Sequence, residues 1–389
     1  MKVLKSGILM FFLLGIHGVR GDEVLSPVPF RQEDVFQGQV KDIRLPLFGD
    51  EKEVMVIHMV QFSCDCLRAV SYPGILMPGM KDDLWIRHAA SKVMDYSYEV
   101  MVSGHRMGKL FEKKFLLLGS VKESKTFSLK NIPPWDPELQ FAVRKIIKIP
   151  DTFRVLPQKI DFKKVMNEFM IVDIRDPGDY EKCYIPGSMN LPLSVLKTKA
   201  YLKDKKILIL GYGYGEVLLH TEMEILRVKG WKVFLFSGGV SAWKASGGRL
   251  EGFLAEEDAC KIAASDFYHE KNDADTLVLN ISDSETDQVR EYLPFALFVG
   301  SDRTQLNKKI NDYALQANKP FLKIICFNEN GIGYEKLISM VKDLPYPGFF
   351  LTGGFKSYKS LLHEILQMHS GIEKNQVETR IKGCKSCPN

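Results

Sequence analysis

One interval occurs twice in this chain, and it limits the fold more than any other feature. An apolar, strand-like run ends at Gly211 and is followed by the pair Gly238-Gly239; a second run reaches Cys326 and is followed by Gly353-Gly354. Gly211 to Gly239 spans 28 residues, and Cys326 to Gly354 also spans 28. The openings match too, with Asp173-Ile174-Arg175-Asp176 facing Asn280-Ile281-Ser282-Asp283. A repeated order of strand, loop, helix, strand and glycine pair predicts two copies of one plan. In the first copy, apolar runs lie at 169–174, 206–210 and 232–236, with a helical stretch at 216–229. In the second they lie at 276–281, 295–299, 321–327 and 349–352, with helical stretches near 302–317, 334–342 and 356–367. Continuous apolar strands alternating with helices predict parallel sheets covered on both faces, an α/β fold.

The 389 residues exceed one ordinary core, so further domains are expected. Lys2 and Lys5 precede an apolar run over 8–16, with small residues at Val19 and Gly21. This pattern predicts a signal peptide over 1–21, cut near Gly21/Asp22, and an exported chain, periplasmic or secreted. No other stretch is apolar enough to cross a membrane, so no membrane association is expected after cleavage. Removing Lys2, Lys5 and Arg20 from 53 basic residues leaves 50 against 48 acidic ones. Balanced charge without a basic run argues against a nucleic-acid partner.

Residues 22–150 read as a β-rich domain, a small barrel or sandwich, with strands at 40–48, 54–62, 98–103, 114–121 and 141–149 and alternation again at 125–129. Prolines 150 and 157 frame a linker. The α/β units then span 158–250 and 262–370, and a tail over 371–389 carries Cys384 and Cys387. Of seven cysteines, Cys64 and Cys66 stand too close for an ordinary unstrained disulfide, leaving a bond to Cys384 or Cys387 open. Zinc binding by the two close pairs is weakly signalled, since over 300 residues separate them, and His58, His88, His105 and His220 have no close ligand spacing. No metal and no cofactor is expected.

The first unit contains Val172-Asp173-Ile174-Arg175-Asp176, then Tyr184-Ile185-Pro186-Gly187 with Pro192 nearby, then Gly238-Gly239-Val240-Ser241-Ala242-Trp243. In order and spacing these motifs resemble the rhodanese family, over roughly 158–250; the second unit is similar mainly through the repeat register. The resemblance implies a tandem of rhodanese-like domains and sulfur transfer, in which a strand-end cysteine carries sulfane sulfur as a persulfide. A loop entering a helix N-terminus aims backbone N–H groups at such a sulfur and stabilises its anion. Unit one has Gly211 at that station, so it is expected to be inert. Unit two offers Cys326 as the nucleophile, with the backbone of Phe327, Asn328, Glu329, Asn330, Gly331 and Ile332 as the anion cradle. It departs from the pattern at Asn280 and Ser282, and its loop lacks a basic residue while carrying Glu329.

Two functions of different class follow. As a sulfurtransferase, the chain takes sulfur from a small sulfur-containing anion and passes it to a thiol acceptor protein. As a binding scaffold, both units recognise a partner and carry out no chemistry. Thiol-disulfide exchange at Cys384 and Cys387 is a third class. Trp243 and Tyr358 are expected to pack beneath their Gly-Gly turns, and Arg175 to form a structural ion pair with Asp173 or Asp179.

Overall fold

A computed structural model describes residues 27–107, 109–124, 136–252, 260–300, 303–316, 319, 321–335, 337–338 and 346–383. The expected signal peptide, the alternating stretch 125–129 and the Cys384/Cys387 pair lie outside the described residues.

The N-terminal region is a sandwich of two sheets. One has the order β1(Val28–Arg31)-β9(Lys109–Lys122)-β8(Met94–Arg106)-β4(Met55–Phe62)-β6(Ile75–Leu76), with β2(Val35–Phe36) also on β9. The other has the order β10(Arg144–Ile146)-β5(Leu67–Pro73)-β7(Lys81–Ala89)-β3(Val40–Phe48). In β3, Ile43, Leu45 and Leu47 point inward while their neighbours face out. They meet Leu84 and Ile86 of β7 and, from the facing sheet, Val100, Val102, Phe115 and Leu117 in one core. Period-2 alternation of this kind suits a sheet with one wet face.

Residues 141–149 were expected to form one strand. They instead hold the end of a short helix, Leu139–Ala142, then the three-residue β10, which pairs in parallel with β5. Ile147 then bridges to Asp273. The reason is burial: Leu139 and Ala142 pack into the core of the second α/β unit, which an isolated strand of the sandwich could not reach.

Two five-stranded sheets follow. The first has the order β11(Arg154–Val155)-β16(Lys232–Phe236)-β15(Lys206–Leu210)-β12(Met170–Asp173)-β14(Met189–Asn190). The second has the order β18(Lys261–Ile262)-β22(Gly348–Leu351)-β21(Lys323–Phe327)-β19(Thr276–Asn280)-β20(Leu297–Phe298). Every pairing in both is parallel, and the strand positions correspond one to one. A small antiparallel ladder, β13(Cys183–Tyr184) with β17(Glu251–Gly252), lies beside the first.

The register between the copies corrects the sequence count. Asp173 pairs with Leu210, and its counterpart Asn280 pairs with Phe327. The N–H of Ile174 donates to Leu210 O, and that of Ile281 to Phe327 O, both at 2.9 Å. Beyond the strands, Val240 N–H donates to Gly211 O at 3.2 Å and Phe355 N–H to Asn328 O at 2.8 Å. Gly211 therefore corresponds to Asn328, and Cys326 lies two residues earlier, within β21. Anchoring on the Gly-Gly pairs misled the count because the stretch from Asn328 to Gly354 is shorter by two residues than its counterpart.

Candidate functional site

At the first strand end, the loop Gly211-Tyr212-Gly213-Tyr214-Gly215 passes beneath the turn Gly238-Gly239. Gly213 has φ +100° and its Cβ would come 2.4 Å from Gly238 O, so only glycine fits there. The Tyr212 and Tyr214 rings stack at 5.6 Å. Tyr212 Oη donates to Asp179 Oδ2 at 2.9 Å and accepts from Asp176 N–H at 3.2 Å. Burial, together with Asp179, pushes its hydroxyl up to about 12. Tyr214, also pushed to about 12 chiefly by burial, sets its ring against the edge of Phe349 from the second unit.

The helix Glu216–Val228 begins at this loop, and its orphan N–H groups would suit a bound anion. A carboxylate of the chain itself takes that role at Gly215, and a second caps the neighbouring helix at Gly238. Gly215 N–H donates to Glu270 Oε2 at 2.7 Å, and Gly238 N–H donates to Glu216 Oε1 at 2.6 Å. Glu270 comes from the helix Ala264–Glu270 of the second unit. Lys323 Nζ then gathers the acids, 3.0 Å from Glu216 Oε2, 2.6 Å from Asp273 Oδ2, and bonded to Glu270 Oε1. All four side chains are buried. Burial raises Glu216 and, reinforced by Asp273 and Glu216, raises Glu270 to about 7. Burial alone would lower Lys323, but the three acids outweigh it and hold the ammonium well above its usual value. The site facing the Gly211 strand end is a buried, acid-rich contact between the units.

Arg175 and Asp173 form a buried pair, with Nη2 2.8 Å from Oδ2, and Arg175 Nη2 also donates to Cys183 O at 2.6 Å. The pair closes the strand end against β13. In the second unit Asn280 Oδ1 accepts Ser282 N–H at 3.0 Å, as Asp173 Oδ1 accepts Arg175 N–H. The backbone turn survives there without the ion pair.

Cys326 is not at the strand end. It sits inside β21 between Leu279 and Phe350, fully buried among Leu277, Ile281, Ile324 and Tyr334. Burial pushes its thiol up to about 12, the reverse of what a nucleophilic thiolate requires. This corrects its expected position beside an anion cradle. The expected cradle is also largely self-satisfied. Asn328 N–H donates to Tyr334 Oη at 3.2 Å, Gly331 N–H to Asn328 Oδ1 at 2.6 Å, and Ile332 N–H to Asn330 Oδ1 at 3.2 Å. Phe327 is a buried strand residue, and Glu329 O accepts Lys356 N–H at 3.1 Å.

Trp243 and Tyr358, each four residues past its glycine pair, are buried in corresponding places. Trp243 packs on Phe236 and donates Nε1–H to Arg249 O at 3.2 Å, and Tyr358 packs on Phe267. Sequence reasoning missed Lys323, Glu270 and Asp273 as a set. The usable signal was a lysine inside the apolar run 321–327, because a charge in a strand buried on both faces requires buried partners.

Cys64 and Cys66, expected not to bond each other, form a disulfide. The turn between β4 and β5 brings them together, with Leu67 N–H donating to Cys64 O at 3.1 Å.

The family model for the rhodanese-like domain matches residues 155–246. Solved structures align with parts of the chain. The thiosulfate sulfurtransferase of Pseudomonas aeruginosa is 18% identical, over 54% of this chain and 42% of its own, with a TM-score of 0.22. The chain thus spans less than half the length of that protein. A rhodanese-like domain from Anabaena sp. is 32% identical, over 21% of this chain and 98% of its own, with a TM-score of 0.19. A rhodanese-related protein from Thermoplasma volcanium is 21% identical, over 25% of this chain and 95% of its own, with a TM-score of 0.22. No curated protein matches the chain.

Proposed function

Because the chain belongs to the rhodanese-like family through its domain at residues 155–246, we propose that it is a non-catalytic, exported binding scaffold built on two rhodanese-like units, the second degenerate. One observation carries this reading: corresponding strand ends hold Gly211 and Asn328, neither of which can form a persulfide. Two further features support it. Glu270 occupies the Gly215 amide of the loop after the first strand end, Glu216 lies beside it on the Gly238 amide, and both would repel an anionic sulfur donor. Cys326 is fully buried, which disfavours a thiolate. Export rests on the basic-then-apolar start of the chain, and the Cys64–Cys66 disulfide suits an oxidising compartment.

Incubation with thiosulfate followed by intact-mass measurement tests the proposal. The scaffold reading predicts no added sulfur, and the same mass behaviour for Cys326→Ser. A gain of one sulfur atom that Cys326→Ser abolishes would return the chain to the sulfurtransferases, with Cys326 as the persulfide carrier.

A further inference from the structure

We propose that Cys64–Cys66 is an exchangeable disulfide that takes two electrons from a protein dithiol. It lies on the sandwich, at the start of β5, and stands independently of the scaffold reading. Three observations carry it.

The bond is reachable. Both cysteines are half-buried, and Cys64 lines an open cleft of about 480 Å³ with Phe62, Ser63, Leu67, Glu99 and Met101. Its mixed lining, with Asp65 and Glu99 beside the apolar Phe62, Leu67 and Met101, can seat the segment flanking an incoming thiol.

The bond is also not a staple of the fold. It joins residues two apart, so opening it frees almost no chain, and a cross-link stabilises less the shorter the loop it closes. Backbone bonds already hold the turn, Leu67 N–H to Cys64 O and Ala89 N–H to Cys66 O at 2.9 Å. The sandwich core lies beneath, with Cys66 packed against it.

Finally, the reduced form has a prepared partner. Cys66 N–H points at Cys64 Sγ from 3.1 Å and would donate to a Cys64 thiolate. Cys183 and Cys326 are buried and do not compete for the reagent, whereas the half-buried Cys260 is removed by substitution in the test.

The exchange balances as follows. One thiolate of the dithiol attacks Cys64 Sγ, and the S–S electron pair leaves on Cys66 Sγ, which takes up a proton. The second thiolate of the dithiol attacks its own sulfur in the mixed disulfide and releases Cys64 as a thiolate. The dithiol ends as a disulfide and Cys64–Cys66 as two thiols.

The test uses the full chain carrying Cys260→Ser, Cys384→Ser and Cys387→Ser, so that neither the half-buried thiol nor the tail pair can exchange. The chain is equilibrated in graded mixtures of reduced and oxidised dithiothreitol, alkylated, and mapped by peptide mass, with circular dichroism recorded in parallel. Cys64 and Cys66 should gain label together and reversibly while the spectrum stays native and Cys183 and Cys326 stay unlabelled. Label appearing only as the native spectrum is lost would overturn the proposal. A second measurement assigns the attacked sulfur. With glutathione disulfide, Cys64 in Cys66→Ser should be modified about tenfold faster than Cys66 in Cys64→Ser, since one thiol faces the cleft and has the amide. Equal or reversed rates would refute the role given to Cys64.

Discussion

Lys323 answers three buried carboxylates from within an apolar strand, and its three N–H donors match three acceptors. Burying ions costs several kcal/mol each unless they are paired, so removing one partner is far worse than removing all. Lys323→Met should cost about 3–5 kcal/mol in urea unfolding, because it strands buried acids without a counter-charge. A loss within about 0.5 kcal/mol, the range of ordinary surface changes, would mean that water already reaches the cluster. Glu270 gives the same cluster a pH signature. Its carboxyl rises from 4.5 to about 7 on folding, so its contribution is fully present below pH 4.5 and is lost as pH rises through 7. Stability should therefore fall between pH 4.5 and 7 relative to Glu270→Gln, measured as the urea midpoint at each pH. Parallel profiles for the two proteins would contradict this.

The two parallel sheets were legible in the sequence because strands buried on both faces read as unbroken apolar runs, as at 206–210 and 232–236. β5 and β7 were not. β7 reads Lys-Asp-Asp-Leu-Trp-Ile-Arg-His-Ala, and its exposed face dilutes the apolar signal. The candidate thiol was misplaced for a related reason. Glycine pairs mark the turns, but only hydrogen-bond register reveals that the connection in the second unit is two residues shorter. The glycines themselves make a testable contrast. Gly215→Ala meets open space at φ +72° and should cost about 1–2 kcal/mol of backbone strain. Gly213→Ala adds a collision with Gly238 O and should cost clearly more, or prevent folding. Equal urea midpoints for the two variants would show that the loop does not pass beneath the glycine pair.

Across the molecule, the segment between sandwich and sheets acts as a fastening. Arg144 donates to the carbonyls of Lys271, Asp273 and Thr276, and Lys271 Nζ donates back to Val143 O at 2.6 Å. Tyr292 Oη donates its one proton to Asp136 Oδ2, with Glu138 Oε2 3.0 Å away, and His363 bonds Glu138. Arg154 of the first unit pairs with Asp275 of the second at 2.7 Å. With three regions joined this way, unfolding should be a single transition, and Arg144→Ala should separate the sandwich as an earlier one by calorimetry, at a cost on the order of 3 kcal/mol. An unchanged single peak would show that these bonds do not couple the regions. The central claim, that no nucleophile stands at either strand end, is tested most directly by pulsed alkylation of Cys326 across a urea series. Labelling should follow global unfolding and be negligible in native buffer. Rapid labelling of Cys326 in the folded chain would contradict the account.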